Sequence, residues 1–191
     1  MLALVTLCLC AAGAVVGLWL ARAGDDAPAA TGWRGAIRPP AARLPDFALT
    51  SQDGERVTAA SLRGRPAVIT FVYSTCEDTC PAQVQSIRGA LDGLGRDVPV
   101  VGVSVDPDND TPARARAFLL EQSMTGRMDF LLGTREQLAP VWKAFGIAPQ
   151  RKGRDHSAYT VLVDSGGRQR IGFPASKLTP SALAADLVRL K

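Results

Sequence analysis

The chain has no cluster of lysine and arginine with interleaved aromatic residues, and its formal charge of +4 is spread over 191 residues. That excludes the electrostatic footprint of a nucleic-acid-binding surface. It also lacks any long low-complexity tract or internal repeat, which leaves a globular reading for a chain that is 47% hydrophobic and 21% charged. Charge is missing altogether from Met1 to Ala21, a Leu-, Val- and Ala-rich segment long enough, at ~1.5 Å per residue, to cross a ~30 Å hydrocarbon core. Residues 1–23 are therefore expected to be a transmembrane anchor or a signal peptide, with the rest of the protein exported to the periplasm. The segment has no basic n-region, yet Ala21-Arg22-Ala23 supplies a small-x-small pattern for cleavage. Neither Cys8 nor Cys10 follows the small residue of a lipoprotein site, which argues against lipidation.

With the leader set aside, two of the four cysteines remain, Cys76 and Cys80, together with the only histidine, His156. They belong to roughly 160 to 170 residues, enough for one domain with a substantial core. Residues 24–42 are rich in Gly, Ala, Pro and Arg and read as a linker, which leaves 43–191 as the domain. The apolar run Val68 to Tyr73 has the composition of a central parallel strand buried on both faces. From Pro81 onward Ala82, Val84, Ile87, Ala90, Leu91 and Leu94 fall at helical spacing. Downstream, Val98 to Val105 is a second strand. Thr111-Pro112 opens a helix, Thr134 and Gln137 form a capping-box pair, and Gly146 ends the helix they start. Ala158 to Val163 and Gln169 to Phe173 form a hairpin, and a last helix begins at Thr179-Pro180. This order of elements predicts a three-layer α/β domain with a mixed sheet.

Cys76 and Cys80 therefore sit where a strand empties into a helix. Backbone N–H groups at a helix start favour a thiolate, the form that attacks disulfides and binds metals. The CxxxC spacing has three readings: a structural disulfide, a dithiol redox pair or metal ligands. A staple closing so short a loop removes little chain entropy. The usual exchanger spacing is CxxC, one residue shorter. Glu77 and Asp78 between the cysteines have two readings: they raise the thiol pKa and favour a bound cation, or both simply point to water. A lone histidine is ordinarily structural or exposed, but His156 precedes a strand of the same sheet, so it can approach the thiols. Two thiolates and an imidazole suit copper or zinc; zinc alone would want a fourth ligand, for which Asp155 is a candidate although adjacent residues of a strand point to opposite faces. The acidic turn Asp106-Pro107-Asp108-Asn109-Asp110 lacks the spacing of a calcium loop and reads as turn and cap residues. Trp142 and Phe145 read as core, and Trp33 falls outside the expected domain.

The segments TFVYSTCEDTCP, VSVDPDNDTP, FLLGTREQLAPVWKAFGI and DHSAYTVLVDSGGR, in that order, resemble the Sco (SenC) family of copper-handling proteins over roughly Trp33 to Lys191. The resemblance implies a thioredoxin-like fold tethered to a membrane outside the cytoplasm. It further implies delivery of copper, as Cu(I) or Cu(II), to the CuA-bearing subunit of cytochrome c oxidase during assembly. The implied ligands are Cys76, Cys80 and His156. A copper donor protein and a thiol reductant are possible further partners. The same cysteines also permit a rival, a thiol-disulfide oxidoreductase that reduces the apo CuA site, and a third reading, a redox or copper sensor. A peroxiredoxin is disfavoured, because PxxxTxxC would need threonine at position 73 or 77, which hold Tyr73 and Glu77.

Overall fold

The apolar run predicted as the central strand is strand β4, Ala67–Val72, and all six of its residues are buried. The computed structural model describes residues 32–96, 98–150 and 157–190. Five further strands join β4 in one sheet: β1 (Ala36–Ile37), β5 (Val100–Ser104), β6 (Asp129–Leu131), β7 (Tyr159–Val163) and β8 (Gln169–Pro174). Their spatial order is β1-β8-β7-β4-β5-β6. Strands β4, β5 and β6 run parallel, with Val68 opposite Val100 and Val101 opposite Asp129. On the other side of β4 the pairings are antiparallel, which makes the sheet mixed, as the sequence predicts. A separate hairpin is formed by β2 (Ala48–Thr50) and β3 (Arg56–Thr58).

Successive residues of a strand face opposite sides of the sheet, and β4 feeds two cores in this way. Val68 and Val72 pack with residues of α1 (Thr79–Leu94), α2 (Pro112–Glu121) and α4 (Pro180–Arg189). Ala67, Ile69 and Phe71 pack with α3 (Arg135–Phe145) and the β2–β3 hairpin. The result is the three-layer, thioredoxin-like arrangement. Local chemistry sets the helix ends. The Thr111 hydroxyl accepts from the Arg114 N–H with Pro112 in the first turn of α2. Thr134 and Gln137 cap α3 reciprocally, and Gly146 ends it in the left-handed region at φ 72°.

The expected linker, 24–42, differs from what its described part forms. Ala36 and Ile37 are strand β1, paired with Gly172 and Ile171 of β8. Just before them, the Arg34 and Gly35 N–H groups donate to the carboxylate of Asp186, at 2.9 to 3.1 Å. Asp186 is wholly buried on α4. Trp33 packs against the core, with the Arg189 guanidinium 5.9 Å from its ring centre. A Gly- and Pro-rich composition gave no local sign of this, because the partner of these N–H groups lies about 150 residues away in the chain. The expected leader, 1–23, lies outside the described residues. Among the described residues no helix is long and apolar enough to cross a membrane.

These contacts set where the folded unit can be cut. A chain beginning at Gly32 keeps every donor to Asp186, whereas one beginning at Leu44 leaves a buried carboxylate without them and removes an edge strand. Stranding such a group costs ~3 kcal/mol or more. The shorter chain is expected to melt about 10 °C lower, at ~2–4 °C per kcal/mol for a domain of this size. Equal melting temperatures by circular dichroism would mean that residues 32–43 add nothing to the fold.

Candidate metal centre

Strand β4 delivers the chain into a tight turn in which the Cys76 N–H donates to the Tyr73 carbonyl at 3.3 Å. Helix α1 then begins at Thr79, two residues before the predicted start, so Cys80 lies in its first turn. No disulfide joins the two cysteines, and both are buried, Cys80 completely. The Cys80 N–H points at the Cys76 sulfur across 3.2 Å.

This geometry divides the two thiols. Cys76 is lowered from 9.0 to about 5, chiefly because the Cys80 thiol hydrogen-bonds to its sulfur, and further because the Cys80 and Asp78 N–H groups and the Tyr73 side chain do the same. Burial opposes the shift and is outweighed. The Cys80 thiol is pushed upward, first by its role as donor to Cys76 and then by burial. At neutral pH the pair holds one negative charge and one proton. Of the two readings of Glu77 and Asp78, the solvated one agrees with the structure. Both residues are exposed, and Asp78 touches Cys76 through its backbone N–H. The donors of the helix start outweigh them.

Asp110 is the residue that sequence reasoning missed. It was read as part of a turn, yet it is buried against the cysteine loop. Its carboxylate accepts from the Ser74 N–H at 2.7 Å, the Ser74 hydroxyl at 2.6 Å and the Ser104 hydroxyl at 2.5 Å. Burial holds its pKa above the usual carboxylate value despite these bonds, and its charge adds to the upward push on Cys80. Ser104 ends β5 and Ser74 follows β4, so the parallel pairing of these strands brings the three residues together. Asp106 does serve the turn, accepting from the Asn109 side chain at 2.9 Å. Trp142 is core as expected, and its ring N–H donates to the Ser104 carbonyl at 2.9 Å.

His156, like Asp155, lies outside the described residues. Strand β7 begins three residues later, and its Thr160 pairs with Thr70 of β4, toward the end of β4 from which the cysteine loop leaves. Among the described residues no group of three or more His, Cys, Asp or Glu side chains forms a metal site. Of the three expected ligands, Cys76 and Cys80 are the described ones, two soft sulfurs of which the helix start favours Cys76 as thiolate. That chemistry fits a thiophilic cation.

The Cys76 shift is also a statement about stability. A thiol whose pKa falls on folding stabilises the folded state fully above 9.0, and that contribution is lost as pH falls through about 5. Cys80, shifted upward, opposes this only where unfolded thiols ionise, above about 9. Urea unfolding of the reduced, metal-free protein should therefore show stability rising from pH 5 to 9, and Cys76→Ser should flatten that rise. An unchanged slope in the variant would assign the pH dependence to other groups.

Comparison with known proteins places this geometry among relatives. The SCO1/SenC family profile matches residues 36–191. The protein SenC of Rhodobacter capsulatus is 34% identical over 137 residues, 66% of this chain and 59% of that protein. Matched segments span between 35% and 65% of the length of the curated relatives. Among solved structures, Bradyrhizobium japonicum ScoI with copper bound superimposes with a TM-score of 0.66 at 35% identity, covering 78% of this chain and 100% of that one. BsSco, a member of the Sco family of cytochrome c oxidase assembly proteins in which a disulfide switch was identified, gives 0.65 at 26% identity, over 80% and 95% of the two chains. With a family match that runs through both cysteines and nearly all of the described fold, this chain belongs to the SCO1/SenC family.

Proposed function

We propose that this protein is a copper carrier that delivers copper to the CuA centre of cytochrome c oxidase during assembly, holding it with Cys76, Cys80 and His156. The observation that carries the reading is the buried, unbridged cysteine pair at the start of α1, with the Cys80 N–H donating to the Cys76 sulfur at 3.2 Å, which favours Cys76 as thiolate. Thiolates favour Cu(I), and an added imidazole makes Cu(II) tolerable, so a two-sulfur, one-nitrogen set suits a carrier that meets both ions. Binding must expel the proton that Cys80 retains, which makes affinity fall at low pH. Support also comes from the copper bound to the Bradyrhizobium relative and from the assembly role of the family to which BsSco belongs. In this reading residues 1–23 carry the domain out of the cytoplasm, as an anchor or a cleaved signal. The recipient is the CuA-bearing subunit, and a donor protein loads the site.

A second reading has its own observation. A cysteine ionised near neutral pH beside a partner that keeps its proton is the arrangement of an attacking and a resolving thiol. The protein would then reduce the disulfide of an apo CuA site, its own cysteines ending as a disulfide that a thiol reductant must restore.

Complementation separates the two. In cells lacking the protein, cytochrome oxidase activity is expected to fall most at limiting copper and to recover partly when copper is added. Cys76→Ser, Cys80→Ser and His156→Ala should each fail to complement to similar extents, since each removes one ligand of three. A reductase gives another pattern: His156→Ala complements, added thiol rescues, and added copper does not. Full rescue by His156→Ala at limiting copper would overturn the carrier reading.

A further inference from the structure

The sequence scatters its cations, but the fold gathers several of them. Strand β1 forms one edge of the sheet, and its partner β8 brings a second basic segment beside it. The Arg38 N–H donates to the Arg170 carbonyl at 2.9 Å, and Arg43 forms a bridge with Arg168. Arg63 adjoins the turn that leads into β8, where the Gly64 N–H donates to the Ser165 carbonyl at 2.9 Å. With Arg34 just ahead of β1, six arginines lie at this edge. Two carboxylates accompany them, and both are paired: Asp164 with Arg170 at 3.1 Å and Asp46 with Arg63 at 3.9 Å. Arg34, Arg43 and Arg168 are exposed, and no ion pair among the described residues includes them.

Residues 34–43 read RGAIRPPAAR and hold no acid. Ala36, Ile37, Pro39, Pro40 and Ala41 are exposed, Ile37 to 57%. A short edge strand, prolines and positive charge guard a sheet against pairing with another chain. Guarding does not require an exposed isoleucine among the arginines, which invites apolar contact. Apolar side chains interleaved with cations suit the boundary between lipid headgroups and acyl chains, where each arginine also gains from anionic lipid. Chain length points the same way. Nine residues, 24–32, separate residues 1–23 from Trp33, and at ~3.6 Å per residue they span at most ~32 Å. We propose that the β1–β8 edge docks on the surface of an anionic bilayer, with Arg34, Arg43 and Arg168 meeting lipid phosphates and Ile37 reaching the apolar boundary. This rests on the reading of residues 1–23 as an anchor. The cysteine loop leaves β4, three strands from β1 and so ~14 Å away at ~4.8 Å per strand, and stays open to a partner.

The test uses the full chain in nanodiscs of phosphatidylcholine, alone or mixed with phosphatidylglycerol, followed by hydrogen–deuterium exchange. Exchange of residues 36–43 is expected to be about 10-fold slower in the anionic discs, and the difference should vanish at high salt. Arg34→Gln, Arg43→Gln and Arg168→Gln together should abolish it, since three charges at ~5-fold each are worth roughly 100-fold in docking. Arg34→Lys, Arg43→Lys and Arg168→Lys together should keep it, because the surface potential acts on charge. Residues 119–125, around the exposed Leu120, are the control and should exchange alike in both discs. Slowing of 36–43 that is equal in the two discs, or that survives removal of the arginines, reflects nearness of the tether alone and overturns the proposal. Slowing that extends to 119–125 is nonspecific adsorption and overturns it too. No slowing in anionic discs also overturns it and leaves an acidic protein surface as the partner of this edge. If the protein fails to enter the discs, the anchor reading falls and this inference falls with it.

Discussion

The hydrogen bond from the Cys80 N–H to the Cys76 sulfur, 3.2 Å long, is the contact on which the site depends. The first N–H groups of a helix have no partner within it and are ordinarily met by a Ser, Thr, Asp or Asn side chain. Helix α1 is not capped in this way, since the Asp78 side chain at its N-cap position makes no capping bond. A cysteine sulfur takes part of that role. The donors that complete the helix start also hold Cys76 as a thiolate, so the local fold and the ionisation of the site have one cause. Anything that changes the sulfur, whether a metal, a disulfide or an alkyl group, acts at the same time on the start of α1.

The sheet makes this junction stiff. Strand β4 is buried from end to end and has a core on each face, so the loop that leaves it starts from a fixed point. Two polar contacts then hold the loop and the helix from opposite sides. Asp110 grips Ser74 ahead of the cysteines, and Gln83 grips β4 and β7 behind them. Buried polar groups of this kind add less to stability than apolar packing would, but they impose direction. A pair of soft donors held in one geometry suits a cargo that must be taken up and passed on, because the protein need not be reorganised at each exchange.

Much of this was legible in the chain because it is encoded locally. The apolar run of β4, the Thr111-Pro112 and Thr134–Gln137 caps and the Gly146 stop each depend on residues within a few positions of one another. The start of α1 was placed two residues late, because Pro81 is tolerated anywhere in a first turn and so marks it only loosely. What escaped depends on distant neighbours. Strand β1 is two residues long, and its approach is secured by Asp186 on the last helix. Asp110 looked like any turn aspartate until the ends of β4 and β5 were side by side. Glu77 and Asp78 stayed open in the sequence, since proximity to a thiol along the chain does not fix where a carboxylate points. The two cysteines were legible as a pair, but the division of charge between them required the direction of one N–H.

In the proposed carrier the cysteine pair is a copper site completed by a nitrogen donor. X-ray absorption at the copper edge of the reduced protein, loaded with Cu(II) in the absence of Cys8 and Cys10, tests it most directly. One copper per chain is expected, with two sulfur neighbours and an imidazole nitrogen, the nitrogen signal vanishing in His156→Ala and all binding vanishing once Cys76 and Cys80 are joined as a disulfide. Copper that stays bound to the oxidised protein, or a ligand shell without sulfur, would contradict it.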